Sequence, residues 1–521
     1  MMKKTMKQYS FASRLKSLAL VFGIALAFAS CANEDIAQNP NGTDNNKNFT
    51  IFSTGDPATR TSMESNGAFY WEAGDKIWVK DDNGTWQQSR NAPTEKTASF
   101  KFEVPGSFTK TSTYKVYYPG KNGNQNQVTI AANQSQAEPN TTAHFGTSGD
   151  CGMADAAWSN AKNGFAFTLD HKAAYLLFLP RTSNTILHDC YLTKVEVNSD
   201  NDITSTYTLD PTTGKLTGTG TDKQIMVELG GSGTYANGFP LTNNATSAAT
   251  NGAYVVIKPG THTLKIRYWV KDIATNVEGT ITKVFSSKIF EQNKYYNITA
   301  NLDVRDYDGD HYYMWDAQQQ YWYGYEWTQH LSGNIGQPTL NGNSSSNYAR
   351  NNSDPRYYNT AFTYGADNKA THTPCKDLPN VNEMTWYAKE GDPRWDADEL
   401  WTTMGHLYKG GMWFKKKANI SGYTPNTACD GIDWRTTGKS HSWSVSYTLP
   451  SAADANNYFY LPALGYYTSG QLNGVGNVGY CWSSSAYPSF STYAYALYFY
   501  RGYVSVDGDG RYYGFRAEAL Q

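Results

Sequence analysis

Three aspartates stand at alternate positions, Asp306, Asp308 and Asp310, where their carboxylates could bind a cation together. Carboxylates spaced in this way are typical of a loop that holds calcium, a hard cation that prefers several oxygen ligands. Such a loop also requires a bidentate glutamate further along the chain, and none stands at that position. We therefore predict a solvated turn between domains and no metal site.

Catalytic patterns are equally incomplete. Gly474, Gly476 and Gly479 have the spacing of a dinucleotide-binding loop, but no strand precedes them and no helix follows, so we predict a loop before a strand. The chain has neither a Gly-x-Ser-x-Gly nor a His-Glu-x-x-His motif, and its nine histidines are dispersed without ligand spacing. The serines at 483–485 have no histidine near them in the sequence. These patterns predict a protein that is not an enzyme and that needs no cofactor.

Cys31 has a setting unlike that of the other cysteines. Lysines and arginines precede an apolar run of about a dozen residues, the layout of a secretory signal that is too short to cross a bilayer as a helix. The segment Phe28-Ala29-Ser30-Cys31 resembles a bacterial lipoprotein box, which implies cleavage between Ser30 and Cys31 and a lipid on Cys31. Glu34 and Asp35 resemble the surface-export signal of Bacteroidetes lipoproteins and imply a surface-exposed position at the cell outer membrane. An ordinary cleaved signal with an incidental cysteine is the alternative.

The remaining five cysteines are scattered and form no Cys-x-x-Cys pair, which argues against a zinc or redox centre and leaves one or two disulfides open after export. They are Cys151, Cys190, Cys375, Cys429 and Cys481.

Composition excludes one class of partner and divides the chain. The formal net charge is −2, from 44 Lys and Arg against 46 Asp and Glu, so we predict no nucleic-acid partner. A length of 521 residues predicts about three domains after a signal at 1–31 and a spacer at 32–48. Of 40 tyrosines and 15 tryptophans, 27 and 10 follow Leu302, so the last part of the chain is a domain of a different kind.

Residues 49–183 and 184–302 each predict an antiparallel β-sandwich. Both stretches consist of short β-type runs between turn residues, without a convincing long helix. Asp82-Asn83-Gly84 indicates a hairpin. In the second stretch Leu264, Ile266 and Tyr268 alternate with polar residues, as in a half-buried strand.

Several motifs in these two stretches, in this order, resemble the fimbrillin family of Bacteroidetes pilus subunits. They are Arg60-Thr61, residues 69–77 (FYWEAGDKI), 167–174 (FTLDHKAA), 207–210 (YTLD), 214–216 (GKL) and 295–302 (YYNITANL). The resemblance implies two transthyretin-like sandwiches, lipid-assisted export, proteolytic trimming after an arginine, and assembly with other pilus subunits by strand exchange. Arg60 is the predicted maturation site because it follows a predicted first strand at 49–53; the alternative is an ordinary surface arginine. Strand exchange is a form of β-strand addition.

The C-terminal part begins with a junction and loops at 303–373, followed by a module at 374–521. Asn380 or Asn382 is predicted to cap a helix over 383–389 that Gly391 ends. Asp392-Pro393 is predicted to open a second helix, on which Leu400, Met404, Leu407 and Tyr408 recur at helical spacing. Residues 507–510 (DGDG) are predicted to form a hairpin turn between the last two of several aromatic strands.

The motifs of this module resemble the Fibrobacter-type major paralogous domain, a branch of the α+β C-type-lectin-like fold. They are residues 382–387 (NEMTWY), 433–435 (DWR), 459–463 (FYLPA), 480–485 (YCWSSS) and 513–516 (YGFR). The calcium-binding motifs of classical C-type lectins are missing, since Gln337-Pro338-Thr339 lies outside the module and Arg435 follows Trp434. A remote relative of the same fold, the formylglycine-generating enzyme, uses a cysteine pair, so Cys375, Cys429 and Cys481 leave that alternative open.

A calcium-free aromatic surface could still bind glycans by stacking, although tyrosines in strands usually pack against their neighbours. The tyrosines concerned are Tyr466, Tyr467, Tyr487, Tyr493, Tyr495, Tyr498, Tyr500, Tyr503, Tyr512 and Tyr513.

Together these features predict a mainly β cell-surface adhesion protein, a minor or tip subunit of a pilus assembled by strand exchange, whose C-terminal module binds an unknown glycan or protein. A globular module in place of a free donor segment favours the tip position. The alternative is a permanently lipid-anchored surface lipoprotein that binds a glycan or protein outside any pilus. The two hypotheses differ in the fate of Cys31: the pilus subunit loses it on maturation, whereas the anchored lipoprotein retains it.

Overall fold

The computed structural model describes residues 6–10, 49–54, 62–63, 69–307, 311–326, 346–362, 368–403 and 405–521. These residues form a mainly β protein with several sheets arranged in sandwich-like layers, which confirms the predicted fold class at that level. Within the described ranges, no helix is both long and apolar enough to cross a membrane. The predicted domain limits stay a prediction.

The first sheet packs around one apolar core. The chain up to residue 171 contains the one-turn helix α1 (Phe145–Ser148) and the strands β1 (Met6–Ser10), β2 (Thr50–Thr54), β3 (Ser62–Met63), β4 (Phe69–Tyr70), β5 (Trp78–Lys80), β6 (Trp86–Gln88), β7 (Lys101–Val104), β8 (Tyr114–Tyr118), β9 (Gln127–Ile130), β10 (Asn133–Gln136), β11 (Gly152–Ser159), β12 (Gly164–Phe167) and β13 (Asp170–His171). Within the first sheet, the strand order is β6-β5-β8-β11-β12-β2-β7, with β13 beside β11. The inward aromatic residues of these strands, including Phe52, Phe102 and Phe165, form the core. The predicted hairpin at Asp82-Asn83-Gly84 joins β5 to β6, with Gly84 at positive φ.

The second sandwich packs two sheets over the largest apolar core. Its region contains the one-turn helix α2 (Ala248–Asn251) and the strands β14 (Ala174–Arg181), β15 (Cys190–Ser199), β16 (Ser205–Leu209), β17 (Leu216–Thr217), β18 (Gln224–Leu229), β19 (Phe239–Pro240), β20 (Ala253–Ile257), β21 (Gly260–Asp272), β22 (Glu278–Phe290) and β23 (Lys294–Asn301). One sheet has the order β1-β23-β14-β20, and the other contains β10-β18-β15-β21-β22. Strands β10 and β14 precede residue 183, so both sheets combine strands from the two predicted stretches.

The C-terminal module adds a sheet of its own and extends the sheet of the second sandwich. It contains the helices α3 (Val381–Lys389) and α4 (Trp434–Thr437) and the strands β24 (Tyr312–Tyr313), β25 (Arg394–Thr403), β26 (His406–Lys415), β27 (His441–Ser444), β28 (Tyr458–Pro462), β29 (Tyr466–Thr468), β30 (Gln471–Asn473), β31 (Val478–Ala486), β32 (Tyr493–Tyr500), β33 (Tyr503–Gly510) and β34 (Phe515–Arg516). One sheet has the order β24-β34-β31-β32-β33-β27. The strands β25-β26-β28 continue the larger sheet beyond β22.

Helix α3 confirms the first predicted helix of the module. The Asn380 side chain accepts a hydrogen bond from the Glu383 N–H at 3.1 Å, and the Glu383 carboxylate accepts one from the Asn380 N–H at 2.9 Å. This capping box shows that Asn380, not Asn382, begins the helix. The buried Asn382 instead accepts a hydrogen bond from the Trp434 N–H at 2.9 Å and so fastens α3 to α4.

The second predicted helix is wrong. Residues 394–403 and 406–415 form the antiparallel strands β25 and β26. A bulge between Asp396 and Leu400 interrupts the two-residue alternation of β25, and both faces of its second half are buried. Of the residues that suggested a helix, Leu400 lies in β25, whereas Leu407 and Tyr408 lie in β26. The helical spacing therefore arises across two paired strands, which explains the error.

The predicted turn at 507–510 is also wrong, because β33 runs through Gly510 while pairing with β32. A Cβ on Gly508 would lie 2.4 Å from the Tyr487 ring, and one on Gly510 would lie 2.5 Å from the Tyr512 ring. These glycines therefore make room for aromatic rings within a strand. The predicted loop is correct for Gly474 and Gly476, which both have positive φ, whereas Gly479 already lies in β31.

Candidate functional site

The predicted processing residues Ser30, Cys31 and Arg60 lie outside the described residues. Their roles therefore stay predictions. The predicted first strand, which precedes Arg60 in the sequence, is β2.

Strand β2 occupies an interior position of the first sheet. It runs parallel to β12 on one side and antiparallel to β7 on the other. The side chain of Phe52 is fully buried, and its ring stacks on that of Phe165 with 5.0 Å between centroids. Because β2 satisfies backbone groups of two neighbours, its loss would leave a groove with two unpaired edges and an apolar floor.

A second strand from the N-terminal region lies at the edge of the second sandwich. Residues Met6–Ser10 pair antiparallel with Lys294–Asn301, from Met6 opposite Ile298 to Ser10 opposite Lys294. On its other side β23 pairs parallel with β14. Since residues 6–10 fall within the predicted signal, removal of the signal would leave one side of β23 as an open edge.

The tyrosines of the C-terminal module mostly pack against each other. Tyr467 and Tyr495 are fully buried, and of the ten tyrosines considered in the sequence only Tyr512 is exposed, at 43%. The rings of Tyr480 and Tyr498 stack at 5.2 Å, and Tyr466 meets Tyr480 edge-on at 5.0 Å. These rings turn their faces toward neighbouring rings, which agrees with packing and disfavours a broad open stacking surface.

A buried polar cluster joins the second sandwich to the C-terminal module. Arg267 lies on the face of β21 opposite the sandwich core, and its Nη2 donates to Thr280 Oγ1 at 2.8 Å and to Asp396 Oδ1 at 2.9 Å. Arg267 is 6% exposed and Asp396 is 2% exposed. The sequence pattern predicts a half-buried strand here, but the module covers its polar face as well. Sequence reasoning missed this contact because 129 positions separate the two residues.

Glu399 completes this cluster from β25. Its carboxylate accepts hydrogen bonds from Thr280 Oγ1 at 3.0 Å, from the Thr282 N–H at 2.8 Å and from Thr282 Oγ1 at 2.6 Å. Burial and the nearby Asp396 carboxylate raise the pKa of Glu399 to about 7, although Arg267 acts in the opposite direction. The contact between the two modules thus combines these charged side chains with Leu400 and Leu407, which belong to the apolar core of the second sandwich. The β-ladder between β22 and β25 has a single paired position, Thr280 opposite Glu399.

A cleft of about 370 Å³ opens beside this cluster. Its volume lies within the range of roughly 300–1,000 Å³ that is typical of small-molecule sites. Residues from both modules line it, including Arg267, Trp395, Asp396, Asp398, Tyr447 and Arg501. A smaller cavity of about 20 Å³, enough for one water molecule, also borders Arg267.

The remaining chemical candidates do not converge. Within the described ranges, no three His, Cys, Asp or Glu side chains are grouped so as to hold a metal ion. Asp306 accepts a hydrogen bond from Thr402 Oγ1 at 3.0 Å, while Asp308 and Asp310 lie outside the described residues.

The five described cysteines are free thiols. Burial raises the pKa of the Cys375 thiol to about 12 and that of the Cys481 thiol to about 11, which opposes thiolate formation at neutral pH. These two thiols therefore lack the reactive form that a catalytic cysteine pair would need.

Comparison with protein-family models and with curated proteins finds no match. Solved structures give remote matches. A fimbrial protein from Bacteroides ovatus ATCC 8483 is 10% identical, covers 90% of this chain and 98% of its own, and has a TM-score of 0.25. A candidate cell adhesion protein from the same organism is 14% identical, with 49% and 93% covered and a TM-score of 0.29. The fimbrial anchor protein Mfa2 from Porphyromonas gingivalis is 11% identical, with 45% and 82% covered and a TM-score of 0.22.

The matched structures are remote from this chain. Their identities and TM-scores are too low to assign a function to this chain. The resemblance of the C-terminal module to the lectin-like fold stays a prediction.

Proposed function

We propose that this protein is a cell-surface adhesion protein that joins a pilus as a minor or tip subunit by strand exchange. In this proposal the lipid on Cys31 carries the chain to the outer membrane, cleavage after Arg60 releases the N-terminal segment, and the C-terminal module binds the target. The observation that carries the proposal is the interior position of β2.

The setting of β2 is suited to strand replacement. The segment before Arg60 contains only one described strand of the first sheet, and that strand lies between two partners. Its removal would expose the groove that Phe52 fills, and burial of a phenylalanine side chain is worth about 1.5–3 kcal/mol. An extended segment from another subunit with an apolar residue at this position would restore both backbone pairing and burial.

The edge of β23 supports a second point of strand addition. Export would remove residues 6–10 with the signal, and the chain after Cys31 would then have one side of Lys294–Asn301 available. The last described strand, β34, pairs with β24 and β31, so it is engaged within its own module. The edge of β23 is thus suited to accept a strand, whereas β34 is already paired.

The first experiment tests cleavage at Arg60. Cells producing Arg60→Ala are compared with cells producing Arg90→Ala, since Arg90 is an exposed arginine of the same sandwich whose only described ion pair is with Glu103. We expect N-terminal sequencing of surface material to find residue 61 first in the wild type and in Arg90→Ala, and Cys31 first in Arg60→Ala. A wild-type chain that still begins at Cys31 would remove strand exchange from the proposal.

Immunogold labelling tests the position of the protein on the cell. We expect label at fibre ends, lost in Arg60→Ala and kept in Arg90→Ala. Uniform membrane label would support the permanently anchored lipoprotein instead. Spontaneous growth of long fibres from the purified protein would contradict the tip position.

A further inference from the structure

We propose that the cleft between the second sandwich and the C-terminal module binds an acidic saccharide, a sugar ring that carries a carboxylate. The proposal rests on the proposed adhesion function and names the ligand class and the site of target binding. Tyr447 and Arg501 form the outer wall of the cleft, and Asp396 and Asp398 come from the bulge of β25. Bulges redirect side chains next to binding sites.

The outer wall offers an aromatic face and an unpaired cation. Tyr447 is 59% exposed, and its hydroxyl donates to the Arg501 carbonyl oxygen at 2.8 Å, which fixes the two residues relative to each other. The Arg501 guanidinium lies 5.9 Å from the Tyr447 ring centroid. Within the described residues, no carboxylate pairs with Arg501. Its planar donor groups are suited to bidentate recognition of a carboxylate, and the tyrosine face is suited to stacking against a sugar ring.

The inner wall is a rigid polar surface. Asp396 accepts hydrogen bonds from Arg267, from the Asp398 N–H at 3.0 Å and from Trp413 Nε1 at 3.1 Å. The buried Arg267 retains one N–H, at Nε, that has no partner in the described part of the chain. This Nε atom is buried, and the cavity of about 20 Å³ beside Arg267 is large enough for one water molecule to accept its hydrogen bond.

The cation on the outer wall favours an acidic ligand over a basic one. On the inner wall, Asp398 is paired with Lys409 at 3.2 Å, and Arg267 faces the carboxylates of Asp396, Glu399 and Glu196, so this wall carries no surplus positive charge. Arg501 is positive and has no carboxylate partner among the described residues. A basic ligand would meet this charge, whereas a carboxylate would neutralise it. The Oδ2 atom of Asp398, which lines the cleft, provides an acceptor for a hydroxyl group of a sugar.

The test uses the full mature chain and three soluble probes: the methyl glycosides of N-acetylneuraminic acid, glucuronic acid and glucose. Binding is measured by isothermal titration calorimetry and by saturation-transfer NMR. We expect at least one acidic glycoside to bind and the neutral glucoside to bind at least about tenfold more weakly, since a hydrogen bond to a charged group contributes about 1.5–3 kcal/mol. The two acidic probes distinguish a sialic acid from a uronic acid.

Variants assign the site within the chain. We expect Arg501→Gln to weaken binding about tenfold or more, Tyr447→Ala to abolish ring contacts in the NMR experiment, and Tyr447→Phe to retain binding because the ring remains. Tyr512→Ala is the matched control, since Tyr512 is an exposed tyrosine of the same module outside the cleft. Circular dichroism and unfolding curves confirm that each variant is folded.

Three outcomes would overturn the proposal: equal binding of the neutral glucoside, unchanged affinity of Arg501→Gln, or no binding of any probe. The proposed pilus function fails separately. Arg60→Ala would prevent fibre incorporation without changing saccharide binding, and Arg501→Gln would weaken saccharide binding without changing fibre incorporation.

Discussion

Replacement of Arg267 by methionine tests whether buried charges hold the second sandwich to the C-terminal module. Methionine fills much of the same volume but removes both hydrogen bonds from Nη2, at 2.8 Å to Thr280 and 2.9 Å to Asp396. The carboxylates of Asp396 and Glu399 then remain in a buried site without their cation. We expect the contact between β22 and β25 to open far more often.

The size of this effect follows from burial. Loss of one partner of a buried ion pair costs about 3–5 kcal/mol, because the remaining charge is left uncompensated. At about 1.4 kcal/mol for each factor of ten, the equilibrium for opening shifts by roughly two to nearly four powers of ten. Arg90→Met provides the comparison, since Arg90 and Glu103 form an exposed pair whose loss costs about 1 kcal/mol or less.

Hydrogen exchange measured by mass spectrometry reports this opening peptide by peptide. Global unfolding of a multidomain chain does not resolve where the opening occurs. Peptides covering β21, β22 and β25 should lose protection in Arg267→Met, while peptides of the first sandwich keep it. Adding Asp396→Asn to Arg267→Met should restore part of the protection, because one uncompensated charge is removed. Unchanged protection in Arg267→Met, or a loss no larger than that in Arg90→Met, would refute the reasoning.

Three further predictions concern single side chains. The pKa of Glu399 is raised from 4.5 to about 7 in the folded state, so between these pH values the folded chain keeps a proton that the unfolded chain loses. The free energy of unfolding should therefore fall by up to about 3 kcal/mol as the pH rises from 4.5 to 7. Urea unfolding of Glu399→Gln should lack this fall, and parallel pH profiles of the two proteins would contradict it. Asn380→Ala removes one half of the capping box and should cost about 1 kcal/mol in urea unfolding; a loss below about 0.3 kcal/mol would show that the cap is unimportant. Phe52→Ala should cost about 3–5 kcal/mol in a chain that retains β2, as measured by thermal unfolding; a loss below about 1 kcal/mol would contradict the interior role of β2.

The sandwiches could be predicted from the sequence because their signals are local. Tyr114–Tyr118 and Ala253–Ile257 coincide with strands, since β-branched and aromatic runs between turn residues fix both the type and the limits of an element. The capped helix α3 was predictable for the same reason. Residues such as Asn380 and Glu383 satisfy each other's backbone groups at a distance of three positions.

The joint and the cleft could not be predicted, because their partners are distant in sequence. Nothing near Arg267 indicates that Asp396 will cover it, and an arginine at an alternate position of a strand ordinarily faces solvent. The helical spacing of Leu400, Leu407 and Tyr408, which lie in two different strands, also concealed the hairpin of β25 and β26. The only local sign was acidic residues within an aromatic run at 395–401, a combination that requires buried partners once the run is buried.

The joint between β22 and β25 has a mechanical consequence. A force that pulls the second sandwich and the C-terminal module apart acts on this joint. A continuous β-ladder would share the load among many backbone hydrogen bonds, but here the ladder has one paired position, Thr280 opposite Glu399. Under such a force, the charged side chains around Arg267 and the apolar contacts of Leu400 would share the load that backbone pairing carries elsewhere. A change in the protonation of Glu399 would therefore change the resistance of the joint.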